Sequence, residues 1–266
     1  MSSVAKIFDA WINKSYNNLA DKFRIHKNNK RCYHCKKTFP EFTKFRGGFR
    51  NLNSWLLSLD MVGSDIDNFG CPHCGINDRV RHLLMYFDRL GVWEKFTNAS
   101  VIHFAPEEHL VKKIERLGPS RYVKADLFPA DERIQKIDIT HIPYTDNEFD
   151  ILICNHVLEH VTHYKKALSE IVRVLRPGGL AILQTPYSRK LTENFEDESI
   201  NTDELRLQYY GQEDHVRWFS ERRLMCEFEN AGLIAHRKKH NDLFKEGEHV
   251  IFGVNPDEDL FLFYRE

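Results

Sequence analysis

From residue 101 onward the chain alternates short apolar runs with helix-length segments, and few folds accommodate that pattern. VIHFA (101–105), RYVKA (121–125), KIDI (136–139), FDILIC (149–154), LAILQT (180–185) and LIAHRK (233–238) read as strands. Segments near 107–117, 162–175 and 220–231 read as helices between them, and RPGG ends the second of these. A last strand falls on either VIFGV (250–254) or FLFYR (261–265). Strands alternating with helices imply crossover connections and hence a parallel sheet covered on both faces. The expected class is α/β with a doubly wound sheet.

The first hundred residues have another texture. They carry 16 Lys+Arg against 9 Asp+Glu, whereas residues 101–266 carry 22 against 30, so the net charge of -1 sums two unlike parts. Four of the six cysteines fall in this basic part as two C-x2-C pairs, Cys32/Cys35 in RCYHCKK and Cys71/Cys74 in GCPHCG. Each pair can set two thiolates on a tight turn, as adjacent corners of a zinc tetrahedron require. The 35 residues between the pairs exceed the roughly 15–20 of a compact zinc ribbon. The spacing therefore predicts a ribbon-like module with an insertion, its structured parts being EFTKFRGGF and SWLLSL. His34 and His73 lie inside the knuckles, but four thiols already complete the site. Cys154 and Cys226 fall in apolar stretches and read as packing residues.

Residues 4–23 place apolar side chains at helical spacing, and a second helix is expected over Asp78–Leu90, with Asp78 as N-cap and Gly91 as stop. The expected division is 1–95 for the helix and zinc module and 96–266 for the sheet domain. No run approaches the ~20 apolar residues of a membrane span. Met1–Ala10 lacks the apolar core of a secretory signal, so a cytoplasmic protein with reduced thiols is expected.

In doubly wound sheets ligands bind beyond the carboxyl ends of the strands. There stand Pro106, Glu107 and Glu108 after the first strand, Asp126 after the second, Asp138 at the third, and Asn155 and His156 after the fourth. A carboxylate past the second strand suits a ribose diol, because it can accept two hydroxyl hydrogen bonds. Asp138 could accept from an exocyclic adenine amine.

The segment DITHIPYTDNEFDILICNHVLEHVTHYKKALSEIVRVLRPGGLAILQTP (138–186) resembles the central block of class I S-adenosylmethionine-dependent methyltransferases of the type 11 group. The cysteine pairs, HFAPE (103–107) and GQEDHVR (211–217) further resemble a bacterial subgroup with N-terminal cysteine knuckles, often associated with glycan or small-molecule modification. The resemblance implies a Rossmann-like sheet of seven strands with the last antiparallel, and S-adenosylmethionine as cofactor beside a structural zinc. It implies that His103, Phe104, Ala105, Pro106 and Glu107 contact the methionine part, Asp126 with Leu127 the ribose, and Asp138 with Ile139 the adenine. Asn155 and His156 would then lie near the sulfonium. One departure stands out. The family's first turn is usually acid-x-Gly-x-Gly, and this chain contains no G-x-G. Either cofactor binding is lost, or Ala105 still permits close approach while Glu107 or Glu108 accepts from the cofactor's ammonium group; we adopt the second reading.

Methyl transfer to a hydroxyl needs alignment and a base, and histidine suits the base. The 187–217 stretch, where this fold commonly inserts substrate-binding structure, supplies His215 as the preferred base and Arg217 to orient an anionic or polar acceptor, with His156 as the second histidine. His160 reads as packing. The leading expectation is methyl transfer to a hydroxyl or amine of a small molecule, glycan or nucleotide-linked sugar. A second is an RNA methyltransferase whose basic module binds phosphates. A third is a silent, methyltransferase-like binding protein.

Overall fold

The computed structural model describes residues 30–266, so the helix expected over 4–23 lies outside the described residues. The main sheet comprises β1 (Ser100–Phe104), β2 (Arg121–Asp126), β3 (Gln135–Lys136), β4 (Phe149–Cys154), β5 (Leu175–Ile182), β6 (Leu233–Lys238) and β7 (Leu260–Arg265). Their spatial order is β6-β7-β5-β4-β1-β2-β3, with β7 antiparallel to both neighbours. This is the seven-stranded Rossmann-like sheet that the resemblance implied. The order reverses between β1 and β4, which is where such a sheet opens its crevice. Every residue of β1 is buried, as a central strand covered on both faces should be.

The helices are α1 (Ser54–Ser58), α2 (Asp78–Leu90), α3 (Glu108–Arg116), α4 (Tyr164–Val174), α5 (Asp203–Tyr210), α6 (Glu221–Asn230), α7 (His240–Leu243) and α8 (Glu248–Phe252). Apolar residues of α4 and α6 form one core with one face of the sheet. Those of α2 and α3 form a second core on the other face. Helix α2, on the N-terminal side of the expected boundary at residue 95, thus belongs to the sheet's own helical layer. Its N-cap is Asn77, whose side chain accepts from Val80 N, rather than Asp78; Gly91 ends it at φ 66°. Asp78 is buried, with Oδ2 accepting from Asp65 N at 2.5 Å.

Two local readings needed correction, and an open one is decided. KIDI pairs only at its start, because Asp138 Oδ1 accepts from the Thr140 amide and hydroxyl, each at 2.8 Å, and turns the chain. RPGG ends α4 but lies inside β5 as a bulge between Leu175 and Leu180. A Cβ on Gly179 would stand 2.8 Å from Arg176 O, so only glycine fits there. At the C-terminus FLFYR forms the strand, while VIFGV is mostly helical as α8, ended by Gly253 at φ 59°.

The cysteine module is not a separate lobe. Lys30–Arg31 pairs with Thr38–Phe39 as a small hairpin, and Cys32, Phe39, Phe42 and Cys71 share the second core with Val80, Leu83 and Leu84. Thr43 and Gly70 exchange backbone hydrogen bonds of 2.8 and 3.0 Å, closing the insertion at its base. From there the insertion crosses to the far side of the crevice. Met61–Val62 pairs with Tyr187–Ser188, which pairs with Phe219–Ser220. Among the described residues no helix is long and apolar enough to cross a membrane.

Candidate active site and metal centre

The cysteine pairs interleave in space. Cys32 Sγ lies 3.7 Å from Cys74 Sγ, Cys35 Sγ lies 3.8 Å from Cys71 Sγ, and all four sulfurs fall within 4.8 Å of one another. A tetrahedron with Zn–S bonds of ~2.3 Å has edges of about 3.8 Å. Each knuckle closes through a left-handed residue: Lys36 (φ 62°) donates to Cys32 O at 3.0 Å, and Gly75 (φ 72°) to Cys71 O at 2.9 Å. The amides of Cys35 and His73 point at the sulfurs of Cys32 and Cys71. Burial pushes the Cys32 thiol up, and a divalent cation would reverse that by holding it as thiolate. The donor set fits zinc. His34 and His73 instead pack against His109 and Phe39. Of the other two cysteines, Cys154 is buried and Cys226 is exposed on α6, so only the first is a packing residue.

Of the residues assigned to the cofactor, His103, Glu107 and Asn155 meet at the carboxyl ends of β1 and β4. His103 is fully buried in β1, between Tyr122 Oη (2.8 Å from Nδ1) and Glu107 Oε2 (2.7 Å from Nε2). Phe104 is buried behind it. Burial is the largest single influence on Glu107 and pushes it up, but the bond and charge of His103, the local backbone amide and His156 together hold the carboxyl below its usual range. Asn155, at the tip of β4, donates from Nδ2 to Glu107 Oε1 at 3.3 Å and accepts at Oδ1 from Gln184 N at 3.3 Å. Glu108 faces solvent and pairs with Lys112, which leaves Glu107 as the acid turned inward.

Ala105, where the family usually has glycine, adopts φ 48°. The left-handed turn survives without a glycine; alanine is the smallest side chain that still carries a Cβ, and it bears the strain. Pro106 follows it into the N-cap at Glu107 of α3. Asp126 accepts from Phe128 N at 2.8 Å, Leu127 beside it is 45% exposed, Asp138 is exposed and Ile139 is buried beneath it.

Beside these strand ends opens a cavity of about 530 Å³, within the range typical of small-molecule sites. One wall is the insertion between the cysteine pairs, including Phe45, Phe49, Leu56 and Ile66; the opposite wall is α5 and the following loop, including Tyr210, Gln212 and Trp218. His156, Glu159 and His215 line it as well. His156 also sits at positive φ, 52°, with its amide donating to Gln184 O at 2.6 Å. Its Nδ1 is 3.5 Å from Glu159 Oε1 and its Nε2 is 3.8 Å from Glu258 Oε1. Burial pushes the His215 imidazole down to about 4, leaving it neutral at pH 7.

Arg217 has another task than the expected one. It is 2% exposed, and its guanidinium donates to Leu158 O (2.9 Å), Val161 O and Thr162 O (2.9 Å), with Nε on Glu196 at 2.9 Å. It staples the turn after β4 to the segment carrying His215, and four of its five N–H donors are spent on the fold. His160, read as packing, turns its Nε2 toward Glu159 Oε1 at 4.0 Å. Glu159 was missed. The available signal was the spacing His156-x-x-Glu159-His160, which on one turn brings positions i, i+3 and i+4 to one side.

Residues 92–183 match the family model described as a methyltransferase domain. Over this stretch the chain is similar to S-adenosylmethionine-dependent methyltransferases. It is similar to an uncharacterized protein of Methanocaldococcus jannaschii, at 46% identity over 56 residues, covering 21% of this chain and 24% of that protein. It is also similar to a ubiquinone/menaquinone biosynthesis C-methyltransferase of Idiomarina loihiensis, at 34% identity over 88 residues, covering 32% of this chain and 30% of that one. The chain thus spans less than a third of the length of either relative. The structure of an S-adenosylmethionine-dependent methyltransferase from Mesorhizobium loti superposes with a TM-score of 0.49 at 11% identity, over 68% of this chain and 98% of that one.

Proposed function

We propose that the protein transfers a methyl group from S-adenosylmethionine to a hydroxyl or amine of a small molecule or sugar-containing acceptor held in the cavity. The observation that carries this reading is adjacency. Asn155, bonded to Glu107 on the cofactor side, is followed at once by His156, which lines the cavity. In this reading Ala105–Glu107 hold the methionine part, Asp126 and Leu127 the ribose, and Asp138 and Ile139 the adenine. When bound, the cofactor supplies an already activated methyl group. The chain's own work is to align an acceptor with it and to accommodate the proton released. His156 and His215 are the imidazoles that reach the cavity; burial keeps His215 neutral but, at about 4, makes it a weak base, which leaves His156 as the better proton acceptor. The cysteine module's part is structural: its insertion forms the acceptor wall.

The walled cavity favours a small acceptor over RNA, because a polymer needs an open track of phosphate contacts. Calorimetry tests the cofactor half: S-adenosylmethionine should bind, and Asp126→Ala should weaken it at least about tenfold, as loss of two charge-assisted hydrogen bonds implies. Absence of binding at millimolar ligand overturns the reading. Formation of S-adenosylhomocysteine with a panel of hydroxylated and amino acceptors tests the other half. Cofactor binding without turnover on any of them is the result expected of a silent binding protein.

A further inference from the structure

Two residues that line the cavity, Glu159 and His215, meet the imidazole of His160 just beneath its surface. Glu159, His160 and His215 each offer a ligand atom, and the three atoms lie within 4.8 Å of one another. Glu159 is 1% and His215 3% exposed, yet Glu159 Oε1 and His215 Nδ1 are buried without a hydrogen-bond partner. Folded chains rarely leave such atoms unmatched.

The contacts around the cluster orient it inward. Thr185 Oγ1 donates to Glu159 Oε2 at 2.8 Å, which fixes the carboxylate and leaves Oε1 facing the imidazoles. His160 Nδ1 lies 3.1 Å from Asp214 O; donating there, it presents Nε2 as a lone pair toward Glu159. His215 Nε2 lies 2.9 Å from the Gln212 amide, whose carbonyl end takes the Nε2 proton once the amide is turned over, freeing Nδ1. Hydrogen bonds from the outer nitrogens of ligating histidines are what set tautomer and ring direction at metal sites. The two chain segments are locked together by Val216 N donating to Glu159 O at 3.0 Å and by the Arg217 staple. His156 Nδ1, also without a partner, stands 3.5 Å from the same Glu159 oxygen.

We infer that Glu159, His160 and His215 bind one divalent transition-metal cation just beneath the surface of the acceptor cavity. Two imidazoles and one carboxylate with open positions suit Mn2+, Fe2+ or Zn2+. Metal–ligand bonds of about 2.0–2.2 Å ask the side chains to close by roughly an ångström. The cation's role rests on the methyl-transfer reading: its open positions face the cavity and take an acceptor bearing two adjacent oxygens. A bound hydroxyl becomes acidic enough to lose its proton to water. The oxygen lone pair then forms the O–CH3 bond as the S–CH3 bond breaks, and that bonding pair stays on sulfur as a neutral thioether.

The test uses the full chain with zinc retained in the thiolate site, Mn2+ alone as probe, electron paramagnetic resonance to count free and bound Mn2+, and mass spectrometry for total zinc. Wild type should take up a single equivalent of Mn2+ beyond its zinc. Glu159→Gln and the part-exposed His160→Gln should each weaken Mn2+ binding at least about tenfold without changing zinc content. Absence of Mn2+ uptake by wild type, or wild-type binding in both variants, overturns the site. Cofactor affinity on the same samples separates the two claims. Mn2+ uptake without S-adenosylmethionine binding would sink methyl transfer and leave the cation site standing; the converse would sink only the cation site.

Discussion

The Arg46 guanidinium holds the Glu213 carboxylate through two hydrogen bonds, of 3.0 and 2.6 Å. Arg46 belongs to the insertion between the cysteine pairs, and Glu213 stands two residues before His215, so this fork joins opposite walls of the cavity at its rim. Both side chains are exposed, and a pair of that kind contributes ~0–1 kcal/mol. Arg46→Ala should therefore barely change the unfolding midpoint yet raise the KM for the acceptor, because the wall loses its tie. Urea denaturation and steady-state kinetics on one sample read both.

Loss of a cysteine should reach the cavity through the fold. This cavity wall is slung between the two knuckles and closed by the Thr43–Gly70 bridge. Cys35→Ser is expected to release zinc and lower turnover more than about tenfold, since a misplacement near an ångström is costly to alignment. Cofactor affinity should fall less than turnover, because β1, β2 and β4 are also held by the core that α4 and α6 form on the other face of the sheet. Metal analysis paired with calorimetry checks the dissociation of the two effects.

At Ala105 the backbone sits at φ 48°, a conformation that costs a non-glycine residue roughly 1–2 kcal/mol. Ala105→Gly relieves that strain but adds unfolded-state entropy, so its stability change should stay within about 1 kcal/mol. Ala105→Val should destabilise by at least ~1 kcal/mol and weaken S-adenosylmethionine, since a branched side chain resists the left-handed region. Chemical denaturation and calorimetry give the two readouts.

Arg217→Ala should act on stability before it acts on binding. It removes a buried charged donor set and orphans the carbonyls of Leu158, Val161 and Thr162. A loss of about 3 kcal/mol follows from hydrogen bonds of this charged type. A KM effect without any change in unfolding midpoint would contradict the staple.

Acid should weaken the fold through His240. Its Nδ1 lies 2.8 Å from His82 Nε2, and His82 in turn faces Glu258 at 3.3 Å. Burial first, then the neighbouring His82 and His249, push the His240 imidazole down to about 4. An unfolded histidine titrates near 6.5, so the unfolded chain takes up the proton first as pH falls. This contribution is absent above about pH 6.5, and stability is lost progressively from there toward 4. His240→Gln should flatten that slope in urea midpoints measured across the window.

Most of the sheet was readable because its signals are local. FDILIC and LIAHRK are the strands β4 and β6 as written, and Asp78–Leu90 is α2. What stayed open or came out wrong lay where a tertiary partner chose between two local options. VIFGV and FLFYR are both apolar runs, and only the antiparallel slot between β5 and β6 selects the second. Arg217 looked like an acceptor contact because it follows His215 in a polar loop. Its carbonyl partners lie more than 50 residues earlier, and no pattern along the chain marks an oxygen as waiting for a donor.

What the sequence determined by itself was the layered α/β plan, the two cysteine knuckles and the order of polar residues at the strand ends. Periodicity, turn chemistry and short spacings encode all three, and each is decided among neighbours in the chain. Only the tertiary structure decided that the insertion walls the cavity, that Glu159 faces His160 and His215, and that Arg217 is a staple. Those facts depend on contacts such as Arg46 to Glu213, 167 residues apart. Such distances are closed by burying two cores on one sheet, a property of the whole chain that no single segment displays.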